Sequence, residues 1–325
     1  MNTGRLMSSP SNIVLRLGTR GSLLARTQSR LVADAIEKVH PNVHVELVTV
    51  TTSGDRITDR PLRDDGGKGL FTKEIEQVLL EGYVDFAVHS FKDVPVTMPL
   101  VDQNALVIAA VPLREDPRDV LVASFKMKVE ALADGARVGT GSLRRRCQLL
   151  AVRPDLHVEE VRGNIDTRLR KQRDGRYDAV VLAAAGLNRA GLFDDARMSM
   201  IDSDVLLPAP GQGALVVQCR RDDAATRSLL SALDDVETAE CVGAERALVA
   251  ALGGDCHSPI AALAVVKGQT LSLRAAVGAR DGRPPVVRAA GEAPRGEAGS
   301  AVEAVFSALV AAGANHLLHP KAENC

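Results

Sequence analysis

The residues in this sequence that are best suited to bind a ligand are arginines, and many of them lie in one stretch of the chain. Residues 137–176 hold 11 of the 40 Lys and Arg residues against five acidic ones, although the formal net charge of the whole chain is -1. Guanidinium groups bind acid groups through charge-assisted hydrogen bonds that are often bidentate. This concentration of positive charge predicts a site for a ligand that carries several carboxylates.

Two predicted βα units position these arginines. In each unit a short strand runs through a glycine-containing turn into a helix, and the helices are predicted to begin at Leu143 and Ile165. Arg144, Arg145 and Arg162 therefore lie at strand ends or in a first helical turn. Cations there oppose the helix dipole, at a cost of up to about 1 kcal/mol each. Arginines in this position, beside free backbone N–H groups, predict an anion site.

A Lys-Asp pair follows the strand predicted at residues 84–88. Lys92 and Asp93 thus lie beyond the carboxyl end of a strand, which is where ligands bind in open α/β sheets. The alternative is a neutralising ion pair on the surface. Their position at the strand end favours a functional role.

Arg20 lies in a turn of the same kind, within the sequence GTRGS, between a strand at residues 12–17 and a helix. Ser22 is predicted to cap that helix. Arg20 and the helix N-terminus would form a second anion-binding corner. A solvated arginine beside a loop is the alternative for this turn taken alone.

Cys256 lies in a glycine-rich loop after a helix predicted at residues 239–252. A loop thiol can act as a nucleophile, whereas the alternative is a half-buried packing residue. The other cysteines are Cys147, Cys219, Cys241 and Cys325. An odd number of cysteines without a C-x-x-C pair predicts neither a disulfide framework nor a structural metal, and it favours a reducing compartment.

The composition is that of an ordinary globular protein, with 46% hydrophobic and 25% charged residues in 325. A sequence pI of about 6.7 gives no general attraction to nucleic acid or to anionic membrane. Only 2% of the residues are aromatic, so a stacking platform for bases is hard to build. Residues 1–11 lack an apolar signal segment and are predicted to form a flexible tail. We expect a cytoplasmic protein.

Hydrophobic periodicity predicts an α/β fold with three domains. Strands alternate with helices up to a Pro/Gly-rich crossing, LPAPGQGAL, after which a further strand is expected to return to the first domain. We predict α/β domain 1 at residues 12–108 and 213–231, α/β domain 2 at residues 109–212, and a smaller α+β domain 3 at residues 232–325. A cleft is expected between domains 1 and 2.

Seven motifs are spread over nearly the whole chain: GGKGLF, HSFKDVP, EDPRD, GTGSLRRRCQL, RGNIDTRL, LPAPGQGAL and GGDCHSPIA. In order and spacing they resemble the porphobilinogen deaminase family from about Asn12 onwards. The resemblance implies an enzyme of tetrapyrrole biosynthesis that joins four porphobilinogen molecules head to tail, loses ammonia at each step and releases hydroxymethylbilane by hydrolysis. It also implies that domains 1 and 2 have a periplasmic-binding-protein-like fold.

The resemblance further implies a dipyrromethane cofactor, made from substrate and attached to Cys256 through a thioether, with Asp93 as the catalytic acid. The residues that it implies for binding substrate or cofactor are Arg20, Gln28, Lys68, Ser90, Lys92, Arg144, Arg145, Arg162, Arg168, Arg189 and Gln212. Lys68 would lie on a flap over residues 55–68, for which the residues alone leave a plain surface loop as the alternative.

Three departures from the family pattern stand out. Asp255 precedes Cys256 where the family usually has glycine, which bears on how the sulfur is presented. Gly141 replaces a common serine. Residues 63–65 read Arg-Asp-Asp where a basic residue is often found, which argues against a cationic role for the flap.

Two other classes of function compete with this reading. A solute-binding receptor would share the fold of the first two domains, but it needs neither Cys256 nor a third domain. A nucleic-acid binder would use the arginine cluster and show strong salt dependence. We expect a monomer that acts on a small molecule, porphobilinogen, and binds neither nucleic acid nor membrane.

Overall fold

The computed structural model describes residues 12–53, 72–96, 101–102, 104–255 and 257–320. The described strands are β1 (Ile13–Thr19), β2 (Val43–Thr49), β3 (Phe86–Ser90), β4 (Leu106–Ala110), β5 (Asp119–Ala123), β6 (Arg137–Gly139), β7 (His157–Glu159), β8 (Ala179–Ala183), β9 (Met198–Met200), β10 (Leu215–Arg220), β11 (Ile260–Lys267), β12 (Thr270–Gly278) and β13 (Val286–Pro294). The described α-helices are α1 (Leu23–Val39), α2 (Lys73–Leu80), α3 (Leu143–Val152), α4 (Ile165–Arg173), α5 (Ala184–Arg189), α6 (Ala224–Leu230), α7 (Val236–Ala251), α8 (Ala298–Ala311) and α9 (Ala314–Leu318).

The first sheet has the strand order β2-β1-β3-β10-β4. β1 is parallel to β2 and β3, whereas β10 runs antiparallel to β3 and β4. Ile36 of α1 packs against Leu17 on one face, and Ile75 and Leu79 of α2 lie on the other. Because β10 lies between β3 and β4, the chain returns to this sheet after leaving it.

The second sheet has the strand order β7-β6-β8-β5-β9. β6 is parallel to β7 and β8, and β5 is antiparallel to β8 and β9. Leu149 of α3 packs in one hydrophobic cluster, and Leu169 of α4 and Leu187 of α5 pack in another. The three-residue edge strand β9 was not predicted.

The third sheet is antiparallel, in the order β11-β12-β13. Leu248 of α7 and Leu309 of α8 pack with Leu271 and Leu273 of β12 in one cluster. The predicted fold class, two α/β domains followed by a smaller C-terminal α+β domain, is confirmed. Residue 109, predicted to begin domain 2, lies in β4, because hydrogen bonding between β4 and β10 continues to Ala110.

Serine caps begin two of the helices that matter for the site. The hydroxyl of Ser22 accepts a hydrogen bond from the backbone N–H of Ala25 at 3.3 Å, as predicted. The hydroxyl of Ser142 accepts one from the backbone N–H of Arg145 at 3.5 Å. Arg144 and Arg145 therefore do lie in the first turn of a helix.

None of the helices in the described ranges is long and apolar enough to cross a membrane.

Candidate active site

Asp93 is exposed and lies in the 3₁₀ turn Phe91–Asp93, which directly follows β3. It lines a cavity of about 70 Å³ together with three other predicted site residues, Arg20, Gln28 and Ser90. β1 and β3 are parallel neighbours, so the residues that follow them meet at one edge of the sheet. The fold thus brings these four predicted residues together.

Gln28 joins α1 to the end of β3. It is buried, and its Nε2 donates a hydrogen bond to the hydroxyl of Ser90 at 3.0 Å. This contact holds both side chains beside the cavity.

Gln212 links the Asp93 turn to the second domain. Its side-chain oxygen accepts a hydrogen bond from Nζ of Lys92 at 3.4 Å. Its Nε2 donates to the carbonyl of Pro117 at 2.7 Å and to Oδ1 of Asp119 at 2.9 Å. Lys92, Gln212 and Asp119 therefore form a continuous polar chain between the two α/β domains.

Asp119 pairs with two of the predicted arginines. Nη1 of Arg144 lies 2.8 Å from Oδ2, and Nη2 of Arg145 lies 2.7 Å from Oδ1. Each arginine also donates to a backbone carbonyl, Arg144 to that of Leu207 at 2.6 Å and Arg145 to that of Val181 at 2.9 Å. All three charged side chains are buried. These two guanidinium groups therefore already have an internal counterion.

The charges in this network shift one another's pKa values. Burial alone would raise the pKa of Asp119, but the charges and hydrogen bonds of Arg144 and Arg145 hold it well below its usual range. Burial lowers the pKa of Lys92 to about 8, with Asp93 acting to raise it and Arg145 to lower it. Asp119 is thus ionised at neutral pH, and Lys92 loses its proton more readily than an ordinary lysine.

Arg168 belongs to the same electrostatic neighbourhood. Its Nε donates to the carbonyl of Gly163 at 2.7 Å. The pKa of Arg168 is lowered to about 10, first by burial and then by the charge of Arg145, while the charge of Asp93 acts to raise it. The charges of Arg145 and Asp93 therefore both act on the Arg168 guanidinium.

The remaining predicted arginines have separate partners. Arg162 forms an ion pair with Glu160 at 2.6 Å in which both side chains are partly exposed, so its counterion is Glu160 and not the buried Asp119. Arg189 donates to the carbonyl of Gly213 at 2.7 Å. Burial lowers the pKa of Arg189, and Glu115 offsets part of that effect.

Two predicted site residues, Lys68 and Cys256, lie outside the described residues. The neighbours of Cys256 form a compact turn. Oδ1 of Asp255 accepts hydrogen bonds from the backbone N–H of His257 at 3.0 Å and from the hydroxyl of Ser258 at 2.8 Å. Asp255 is therefore hydrogen-bonded to the two described residues that follow the cysteine.

A largely buried ion pair between Arg114 and Glu245 at the domain junction was not predicted from the sequence. Nη1 and Nη2 of Arg114 donate to Oε1 and Oε2 of Glu245 at 2.7 and 3.0 Å, and Nε of Arg114 donates to the carbonyl of Gln212 at 2.8 Å. Glu245, in α7, also accepts the backbone N–H groups of Gly211 and Ala264. The third domain is thus tied directly to the segment that carries Gln212.

A second group that was not predicted, His89, lines the same cavity. His89 is buried and its Nε2 lies 3.2 Å from Oε1 of Gln218, whose Nε2 donates to Glu76 at 3.0 Å. Burial lowers the pKa of His89 to about 4, so the ring is neutral at physiological pH. Since Gln218 presents its oxygen, the histidine proton lies on Nε2.

A sequence signal did exist for some of these residues. Asp119 is the last residue of the EDPRD motif and the first residue of the predicted strand at 119–123, and a buried acid in such a strand needs a cationic partner. Glu245 interrupts an otherwise apolar helix face in the same way. Neither pattern identifies the partner.

Comparison with solved structures gives loose overlaps that concern the fold alone. The methionine binding protein MetQ is 14% identical, with a TM-score of 0.41 over 72% of this chain and 94% of that one. The effector binding domain of BenM is 13% identical, with a TM-score of 0.38 over 75% and 95%.

Family models and relatives cover most of the chain. The model "Porphobilinogen deaminase, dipyromethane cofactor binding domain" matches residues 15–228, and "Porphobilinogen deaminase, C-terminal domain" matches residues 239–305. The porphobilinogen deaminase of Roseiflexus sp. (strain RS-1) is 52% identical over 83% of this chain and 87% of its own length. That of Acidithiobacillus ferrooxidans (strain ATCC 53993 / BNL-5-31) is 49% identical over 94% and 97%. This chain therefore belongs to the porphobilinogen deaminase family.

Proposed function

We propose that Asp93 and the cations around it carry out the chemistry of this family. The chain is an enzyme of tetrapyrrole biosynthesis that condenses four porphobilinogen molecules head to tail on a dipyrromethane primer, with loss of ammonia, and then releases hydroxymethylbilane by hydrolysis. The assignment of the catalytic role to Asp93 rests on its surroundings. An exposed carboxylate, Asp93, shares a cavity with Arg20 and lies within electrostatic reach of Lys92 and Arg168.

Asp93 is the catalytic residue in this proposal. When ammonia leaves porphobilinogen, the remaining azafulvenium fragment is positively charged, and a carboxylate that accepts the pyrrole N–H stabilises that charge. The same carboxylate gives a proton to the departing amine and takes one from the ring that bonds to the azafulvenium fragment, which is general acid–base catalysis. Its exposure at the end of β3 leaves it accessible to substrate.

The arginines balance the acid groups. Each pyrrole carries an acetate and a propionate, so every ring that is added brings two further negative charges into the site. Arg168 and Arg189 donate to backbone carbonyls in the described structure and keep their positive charge. Charge-assisted hydrogen bonds of roughly 1.5–3 kcal/mol each allow a few such groups to hold a growing polyanion.

The donor set fits a dipyrromethane. Nε of Arg144 is buried and has no hydrogen-bond partner in the described part of the chain, so this guanidinium keeps a donor in spite of its pairing with Asp119. Lys92, Arg144, Arg145 and Arg168 would hold the acid groups of the cofactor. When bound, the cofactor supplies the primer to which pyrrole units are added.

We assign the thioether to Cys256. The carbonyl of Pro259, three residues further on, accepts a hydrogen bond from the backbone N–H of Gly278 at 3.0 Å. Gly278 packs so closely on Cys147 of α3 that a Cβ there would overlap its Sγ. The loop is therefore held near the helix that carries Arg144 and Arg145.

The remaining predicted site residues also have roles in the proposed function. Gln28 and Ser90 form the wall of the cavity, and Gln212 orients Lys92. Arg162 and Lys68 are further residues that bind substrate or cofactor. The three domains meet where Arg114 contacts Glu245.

We also propose that the enzyme is a cytoplasmic monomer. Cys147, Cys219 and Cys241 are free buried thiols, which suits a reducing compartment. Light scattering checks the oligomeric state, and a mass of two chains at working concentration would contradict it.

The intact mass of the purified protein tests the proposed function. We expect an excess that matches one dipyrromethane, present in the native protein and absent from Cys256→Ser. Cys241→Ala is the matched control, because it removes a buried cysteine and should keep the excess. An unmodified native mass together with no turnover of porphobilinogen would refute the assignment.

A further inference from the structure

Thr72 carries a buried hydroxyl that forms no hydrogen bond with any of the described residues. The residue is 2% exposed, and its Oγ1 has no hydrogen-bond partner in the described part of the chain. A threonine before a helix normally caps it, with the backbone in the extended region. Thr72 precedes α2, but its φ of -118° and ψ of -31° are helical and its side chain makes no capping hydrogen bond.

An unpartnered buried hydroxyl lowers the free energy of unfolding, because its hydration is lost and nothing replaces it. A valine at this position would have the same shape without that loss. Since the hydroxyl does not cap α2 and has no partner among the described residues, a ligand in the adjoining cavity would supply its hydrogen bond.

Thr72 lines the same cavity as Arg20 and Asp93. The cavity, at about 70 Å³, is far below the roughly 300 Å³ of the smaller ligand pockets, so it accepts part of a ligand and not a whole one. Ser22, at the N-terminus of α1, also lines it, and the N-terminus of a helix favours a negative group.

The charges around the cavity determine which chemical groups of a ligand it can bind. Arg20 and the helix N-terminus attract an anion, while Asp93 repels an anion and attracts a cation. A ligand that presents a carboxylate towards Arg20 and a positive or N–H group towards Asp93 satisfies both, which describes an acid-bearing pyrrole.

We propose that Thr72 is a further binding residue, whose hydroxyl donates a hydrogen bond to a carboxylate of an acid-bearing pyrrole in this cavity. The inference rests on the proposed function and adds a donor that neither the motifs nor the family match assigns. The carboxylate belongs either to incoming porphobilinogen or to a ring of the dipyrromethane.

Two substitutions in the holoenzyme separate binding from folding. Thr72→Val keeps the branched shape and removes the hydroxyl, and Thr72→Ser keeps the hydroxyl. We expect Thr72→Val to unfold at the same or a higher denaturant concentration than the native protein, since it relieves an unsatisfied group. If the partner is the substrate, KM for porphobilinogen rises about 10- to 100-fold with little change in kcat and a full cofactor mass.

If the partner is the cofactor, Thr72→Val instead shows a reduced fraction of protein with the dipyrromethane mass. Either result, with native behaviour in Thr72→Ser, supports the proposal. Native KM and full cofactor loading in Thr72→Val would overturn it, as would a loss of stability in Thr72→Val that fully accounts for the lost activity. Native protein that does not turn over porphobilinogen at all would refute the proposed function instead.

Discussion

Arg145 and Asp119 are paired in the interior of the second domain, where Nε and Nη2 of the arginine lie 3.1 and 2.7 Å from Oδ1 of the carboxylate. The sequence places this arginine in the first turn of a helix, as an anion ligand. In the described structure it also has a counterion within the fold, Asp119 of β5, 26 residues earlier in the chain. Removing the arginine therefore affects the fold as well as the ligand site.

We expect Arg145→Leu to lower the free energy of unfolding by about 3–5 kcal/mol, because it leaves the buried Asp119 with one cationic partner in place of two. Arg162→Leu is the matched comparison. It breaks a partly exposed pair with Glu160 and should change stability by no more than about 1 kcal/mol, while still impairing chain growth. Urea denaturation of both variants measures the difference, and equal stabilities would contradict it.

Asp93→Asn keeps the shape of the side chain and removes its charge. We expect kcat to fall by about 100- to 10,000-fold, the range for loss of a general acid–base group, with the cofactor mass and the unfolding midpoint retained. Asp195→Asn, at an 87% exposed aspartate, is the control and should behave as the native protein. Turnover close to native in Asp93→Asn would remove Asp93 from the catalytic role.

The junction of the three domains depends on Glu245. Glu245→Gln places an amide NH₂ among four donors from Arg114, Gly211 and Ala264, and we expect a loss of about 3–5 kcal/mol in the free energy of unfolding. Glu237→Gln, at an exposed position of the same helix, should lose no more than about 1 kcal/mol. Calorimetry measures both, and a native melting temperature in Glu245→Gln would contradict the expectation.

Lys92 gives the protein a defined dependence on pH. Its pKa is about 8 in the folded protein against an ordinary value of 10.5, so between these pH values the unfolded chain binds more protons than the folded one. The contribution of Lys92 to the free energy of unfolding therefore increases as the pH rises from about 8 to 10.5. Below a pH of about 8 this contribution does not change with pH.

The test for Lys92 uses Cys256→Ser, which should lack the cofactor, as the parent protein. We compare it with the same protein that also carries Lys92→Met. The difference in unfolding free energy between the two should change in favour of the parent as the pH rises from about 8 to 10. A difference that does not vary with pH would show that Lys92 has an ordinary pKa.

Local sequence patterns determined which segments form strands and helices. They also determined at which ends of these elements the site residues lie. A run of apolar residues predicted a buried strand at residues 84–88, which the structure has at Phe86–Ser90, and so placed Asp93 beyond its carboxyl end. The Ser22 cap predicted the start of α1 beside Arg20. Such patterns are set by neighbours in the chain, through side-chain periodicity and capping hydrogen bonds, and the sequence alone contains them.

Tertiary structure alone decided how the charged and polar groups are paired. Arg114 meets Glu245 across 131 positions, and Lys92 meets Gln212 across 120. Periodicity carries no information about such distant partners, so the sequence could not distinguish a paired arginine from one left for a ligand. Nor could it reveal that the buried hydroxyl of Thr72 has no partner among the residues that the structure describes. These properties depend on which groups the packed sheets and helices exclude from water, and that exclusion exists only in the assembled fold.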